Sequence, residues 1–163
     1  MAGDTHEVER KWLVRDLPEL RDLKGEQKIT QGYLAISSDG TEVRIRRKGD
    51  ACFETVKSSG GLVRDEIEVE ISQEQFRVLW PATEGRRLEK TRYALTWNGY
   101  QIELDVYQGA LADLVVAEIE FKSAEESNRF VPPAWFGEEV TEDRHYKNSS
   151  LALNGRLVPP SRR

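Results

Sequence analysis

Rows of like charge at every second residue constrain this chain more than anything else in it. The stretch DEIEVEI (65–71) sets Glu66, Glu68 and Glu70 against Ile67, Val69 and Ile71. VRIRR (43–47) sets Arg44 and Arg46 against Val43 and Ile45. HEVERKW (6–12) lines up Glu7, Glu9 and Lys11, and ETVK (54–57) places Lys57 opposite Val56. LEKTRY (88–93) groups Lys90 with Arg92, IELDV (102–106) groups Glu103 with Asp105, and AEIEF (117–121) groups Glu118 with Glu120. Successive side chains of a strand point to opposite faces, so each stretch reads as a strand with one apolar and one charged face. One such strand is simply wet on one side. Seven with like charges repeated along the strand imply compensation by opposite charge, because like neighbours repel.

The remaining elements fit around these strands. Alternation marks 6–14, 27–36, 41–48, 52–58, 63–71, 87–97, 100–107 and 114–122, separated by Ser38-Asp39-Gly40, Lys48-Gly49-Asp50, Ser59-Gly60-Gly61 and Asn98-Gly99, the last a strong hairpin signal. Gly32 reads as a turn or bulge glycine. Ser72-Gln73-Glu74-Gln75 is a capping box ahead of Phe76, Leu79 and Trp80, and Ser123 to Glu126 is a second one, ended by Pro132-Pro133. Further helices are expected over about 143–153 and 17–23. The class is α+β with a mostly antiparallel sheet.

Composition narrows the chemistry. The chain has 163 residues, a length for one domain over 1–155 followed by a tail over 156–163. A net charge of −5 argues against general nucleic-acid binding, and the N-terminus has no signal-like apolar stretch. A lone cysteine, Cys52, permits no internal disulfide and points to a reducing cytoplasm. His6 and His145 are too few for a His-based metal site or a Ser-His-Asp triad.

Two geometries satisfy the pattern: an open sheet with its charged face in water, or a barrel with charges inside, apolar face outside and helices covering it. Carboxylates at i and i+2, about 6–7 Å apart, suit a hard cation such as Mg²⁺ or Mn²⁺. Arginine and lysine rows suit phosphate oxygens. Both together suit a metal-chelated polyphosphate, and neither a Walker loop nor a GxGxxG motif is present to hold phosphate in another way.

Glu7-Val8-Glu9-Arg10-Lys11 is also the ExExK pattern of the CYTH superfamily, the triphosphate tunnel metalloenzymes. QGYL (31–34), VRIR (43–46), TVKSSGG (55–61), EIEVEIS (66–72), EKTRY (89–93), ELDVY (103–107), AEIEF (117–121) and WFGEEVTEDRHYKN (135–148) follow in family order. The chain most resembles the short bacterial members that hydrolyse inorganic tripolyphosphate. The resemblance implies an eight-stranded antiparallel β-barrel, a tunnel with a charged interior and helices outside. It implies Glu7, Glu9, Glu118 and Glu120 as metal ligands for one or two Mg²⁺ or Mn²⁺ ions. Lys11, Arg44, Arg46, Lys57, Lys90 and Arg92 resemble the phosphate ligands, with Lys11 and Lys57 in the catalytic set beside the acidic pairs. Glu66, Glu68 and Asp105 resemble further tunnel acids. Arg10 and Glu89 fall on the outer face by parity, Tyr33 is a weaker site candidate, Trp12, Trp80, Trp97 and Trp135 read as core, and His145 as surface.

The expected activity is metal-dependent hydrolysis of inorganic tripolyphosphate to pyrophosphate and phosphate. The alternatives are a class IV-type adenylyl cyclase, a thiamine or nucleoside triphosphatase, a non-catalytic polyphosphate-binding module, or a charged-surface β domain that serves as a protein-interaction module. No nucleic-acid or membrane partner is expected, and the lumen is expected to be ionic from end to end, with no aromatic pair inside it.

Overall fold

The computed structural model describes residues 8–17, 23–58 and 66–155. Glu7, the Ser59-Gly60-Gly61 turn, the tail over 156–163 and most of the helix expected over 17–23 lie outside the described residues. The strands are β1 (Val8–Val14), β2 (Lys24–Ile36), β3 (Glu42–Lys48), β4 (Ala51–Lys57), β5 (Glu66–Ile71), β6 (Arg87–Trp97), β7 (Tyr100–Tyr107), β8 (Val115–Phe121) and β9 (Phe136–Glu139). The helices are α1 (Gln73–Leu79), α2 (Ala124–Arg129) and α3 (Asn148–Asn154).

All pairings are antiparallel, in the order β5-β4-β3-β2-β6-β7-β8-β1-β9. The closed eight-stranded barrel expected above is therefore corrected to an open sheet of nine strands, with β5 and β9 as its edges among the described residues. The ninth strand, FGEE, is too short to show alternation and forms only by pairing with the far half of β1. The sheet nevertheless bends far enough for the charge of Glu9 on β1 to act on Lys57 of β4.

Local chemistry sets the connections. Asn98 and Gly99 sit at φ 48° and 81°, as a tight hairpin with the right-handed twist requires. Ser72 and Gln75 form the reciprocal capping box of α1. Ser123 caps α2, but the Glu126 carboxylate accepts from the Lys122 N–H rather than closing a box. The helix expected over 143–153 is interrupted. Asp143 accepts from the His145 N–H to start a 3₁₀ turn over Arg144–Tyr146, Lys147 is extended, and α3 begins after it.

Gly32 lies inside β2 rather than at a turn. Its backbone passes so close to Thr83 that an added Cβ would come within 2.6 Å of the Thr83 Cβ.

Cross-strand register identifies which residues share the charged face: Lys11↔Glu118↔Glu103, Arg92↔Asp105↔Val116 and Arg44↔Thr55↔Glu68. Apolar residues pack the opposite face. Trp12, Ile102, Leu104, Ala117, Ile119 and Phe121 lie under Phe130, which follows α2, and Phe136. Ile45 and Cys52 lie under Phe76 of α1. The third helix breaks the expected rule that helices lie outside. Leu151 and Ala152 of α3 cluster with Tyr33, Leu88, Tyr107 and Val116, which belong to the charged face. The concave side is therefore ionic over part of its length and apolar where α3 covers it. No helix of the described residues is long and apolar enough to cross a membrane.

Candidate active site

Three groups of charged side chains occupy the concave face, and neighbouring strands position each. The first joins β6 and β7. Lys90 is 1% exposed and its ammonium lies 2.7 Å from Asp105 Oδ2. Arg92 donates from Nε to Asp105 Oδ1 at 2.8 Å and from a terminal nitrogen to Oδ2 at 3.0 Å, and it also meets Glu103 at 3.0 Å. Burial alone would raise the Asp105 carboxyl, but Lys90 and Arg92 outweigh it and hold the group near 2. Burial pushes Lys90 down despite its partner. Lys90 also lies 5.4 Å from the centre of the Tyr107 ring, whose hydroxyl donates to Asn148 Oδ1 of α3.

The second group joins β3, β4 and β5. Thr55, fully buried, donates to Glu68 Oε2 at 2.8 Å and accepts from Arg44 at 3.4 Å. Arg44 and Arg46 stand 4.0 and 3.8 Å from the same Glu68 oxygen, beyond hydrogen-bond reach. The Nε atoms of both arginines are buried and without a partner, as is Gln31 Oε1 beside Tyr33. Desolvation lowers the pKa of Arg46, and the charge of Arg44 lowers it further. Lys57 is lowered by burial and then by Arg44, while Glu66, Glu42 and Glu9 pull it back up. Burial pushes the Tyr33 hydroxyl up to about 12.

The third group joins β1 and β8. Glu118 is pushed up to about 7, first by burial and then by its hydrogen bond to Glu9 and the charge of Glu9, against the opposing charge of Lys11. Glu120 lies opposite Glu9 in the register.

Twelve of the sequence-predicted residues thus share the concave face: Glu9, Lys11, Arg44, Arg46, Lys57, Glu66, Glu68, Lys90, Arg92, Asp105, Glu118 and Glu120. Arg10 is on the other face, bonded to Glu139 and stacked on Trp12. His145 is exposed, paired with Asp143. Sequence reasoning missed Thr55, Gln31 and Tyr107. The signal was present, since each continues a period-two row (55–57, 31–33, 103–105–107). The expectation of a face ionic from end to end is corrected by Tyr33 and Tyr107, which lie on it and pack with α3.

Comparison with known proteins adds to this geometry. The chain is 50% identical over 151 residues to an inorganic triphosphatase of Nitrosomonas europaea, covering 91% of this chain and 97% of that one. It is 36% identical over 150 residues to an inorganic triphosphatase of Acetivibrio thermocellus, covering 91% and 94%. A crystal structure of an inorganic triphosphatase superposes with a TM-score of 0.75 at 47% identity, covering 90% of this chain and 94% of that one. No family model matches the chain.

Proposed function

The chain belongs to the inorganic triphosphatases, and on that premise we propose that it hydrolyses inorganic tripolyphosphate to pyrophosphate and phosphate on its charged concave face, with the help of a divalent cation. The observation that carries the placement of the site is the arginine pair. Arg44 and Arg46 present buried Nε donors without acceptors. An unsatisfied buried donor costs about 1–3 kcal/mol, more when charged, and phosphate oxygens remove that cost through charge-assisted hydrogen bonds.

The donor set also suits a metal. Glu9 and Glu118 crowd two carboxyl groups together on the neighbouring strands β1 and β8, and a divalent cation would offset that negative charge. Among the described residues no three His, Cys, Asp or Glu side chains converge on one point. An ion of the Mg²⁺ or Mn²⁺ kind needs only one or two carboxylates and is completed by phosphate oxygens and water. Glu120 and Glu7 are the further candidate ligands. Such an ion, when bound, neutralises phosphate charge and makes its water a better nucleophile.

The chain's own side chains do the rest. Arg44 and Arg46 hold non-bridging oxygens and orient the phosphate chain. Lys57, with a pKa lowered by burial and Arg44, offers a proton and charge to the leaving oxygen. Lys11 offsets the Glu9–Glu118 pair. Lys90 and Arg92 are balanced by Asp105 and Glu103, so this wall is held together by its own ion pairs and leaves phosphate binding chiefly to Arg44, Arg46 and Lys57. The rings of Tyr33 and Tyr107 are buried against α3 and offer no platform for a base, which favours a substrate without an organic group.

Phosphate release from tripolyphosphate, ATP, thiamine triphosphate and pyrophosphate, each with and without Mg²⁺ or Mn²⁺, tests this. Tripolyphosphate is expected to give the highest kcat/KM, and Glu9→Gln or Glu118→Gln to abolish most of the activity in a folded protein. Full activity in excess chelator would refute the metal assignment. Equal turnover of ATP would point to a nucleotide enzyme, and tight binding without release would point to a binding module.

A further inference from the structure

We propose that Thr55 is a positioning residue that holds Glu68 off Arg44 and Arg46, and so keeps both guanidiniums open to phosphate. The inference rests on the triphosphatase reading and extends it to a residue that no charge pattern singles out.

Arg44, Thr55 and Glu68 are direct cross-strand neighbours on β3, β4 and β5, so the hydroxyl stands midway between an arginine and a carboxylate on the same face. Left to itself, that geometry favours a two-pronged arginine–carboxylate pair with contacts near 2.8 Å. It does not form. Glu68 Oε2 accepts from the Thr55 hydroxyl at 2.8 Å and stays 4.0 Å from Arg44 and 3.8 Å from Arg46. The hydroxyl in turn accepts from Arg44 at 3.4 Å. One oxygen thus satisfies part of each charged group and prevents their direct union.

The consequence is visible on the arginines, whose Nε atoms remain buried and unpartnered. Among the described residues Glu68 is a carboxylate within 4.0 Å of both guanidiniums, and its side chain is 38% exposed, so it has room to move. Without the hydroxyl, a shift of about 1 Å would bring it into hydrogen-bond range. Glu68 would then occupy donors that phosphate needs, as an internal competitor. Thr55 itself is fully buried and has no direct path to substrate, so its effect passes through Glu68.

The test compares Thr55→Val, which keeps the shape and removes the hydroxyl, with Thr55→Ser, which keeps the hydroxyl. Thr55→Val is expected to raise KM for tripolyphosphate about tenfold, the order of one charge-assisted hydrogen bond, with a much smaller change in kcat. Thr55→Ser should stay near wild type. Isothermal calorimetry of tripolyphosphate in excess chelator should show the same weakening in Thr55→Val. In the Thr55→Val/Glu68→Gln double variant the competing carboxylate is gone, so its KM should equal that of Glu68→Gln alone. A wild-type KM in Thr55→Val would overturn the proposal, as would a pure kcat loss or a double variant that keeps the full penalty. Should Thr55→Val fail to show a cooperative melt, Thr55→Ala removes the same hydroxyl and carries the same expectations. A wild-type protein that releases no phosphate would overturn the proposed function instead, and the calorimetric comparison would still decide the role of Thr55.

Discussion

Asp105 shows how much one carboxylate can organise. It accepts from both Lys90, which is fully buried, and Arg92, which it shares with Glu103. Removing one member of a buried ion pair exposes the other's desolvation cost, about 3–5 kcal/mol. Asp105→Asn is therefore expected to lower stability by about that amount at pH 7, read by thermal or urea unfolding. The pH dependence follows from the sign of the shift. The folded-state pKa, near 2, lies below the ordinary 3.8, so the stabilisation is fully present above about pH 4 and is lost as pH falls toward 2. The gap between wild type and Asp105→Asn should close over that window. A gap unchanged at pH 2 would mean that the carboxylate's charge is not what matters.

The elements are seated by close contacts that no single residue type announces. The 3₁₀ turn over Trp80–Thr83 lies against β2 because Gly32 has no side chain. Thr83 is buried there, donating to the Trp80 carbonyl at 2.7 Å and accepting from Arg87 Nε at 2.9 Å. Arg87 in turn stacks on Trp80. Gly32→Ala would drive a methyl into the Thr83 Cβ and push the turn off the strand. Overpacking of this kind costs about 1–3 kcal/mol, and because the methyl meets the Cβ, Oγ1 and Cγ2 of Thr83 alike, Gly32→Ala/Thr83→Gly should cost less than the sum of Gly32→Ala and Thr83→Gly alone. Urea midpoints of the three variants check this, and a Gly32→Ala protein as stable as wild type would show that the turn yields freely.

Across the whole molecule, the apolar side of the sheet is closed by an aromatic cluster centred on Phe130. Its ring lies 4.9–6.1 Å from those of Trp12, Trp97, Tyr100, Phe121 and Phe136, so it joins β1, β6, β7, β8 and β9 just beyond α2. Truncating a buried phenylalanine costs about 3–5 kcal/mol through lost transfer energy and the cavity left behind. Phe130→Ala is expected to lower the melting temperature strongly. Below that transition it should still release phosphate at close to the wild-type rate, because the cluster lies on the face opposite the charges. Loss of activity in a protein still folded by circular dichroism would mean that the outer face controls the geometry of the inner one.

The sequence by itself determined which side chains share a face. Alternation is a local property of extended chain, so Glu9 with Lys11, Arg44 with Arg46, Lys90 with Arg92 and Glu118 with Glu120 could be grouped without knowing any partner strand. The Asn98-Gly99 hairpin and the Ser72 cap were legible for the same reason, since each depends on a few neighbouring residues. Only the tertiary structure decided what those faces meet. Strand order, the edges at β5 and β9 among the described residues, and the placement of α3 on the concave side all depend on contacts between residues far apart in the chain. The same long-range contacts give Lys90 and Arg92 to Asp105, while Arg44 and Arg46 keep unpartnered donors. A row of cations reads alike in sequence whether its charges are paired or open, because pairing is set by the strand alongside and not by the strand itself.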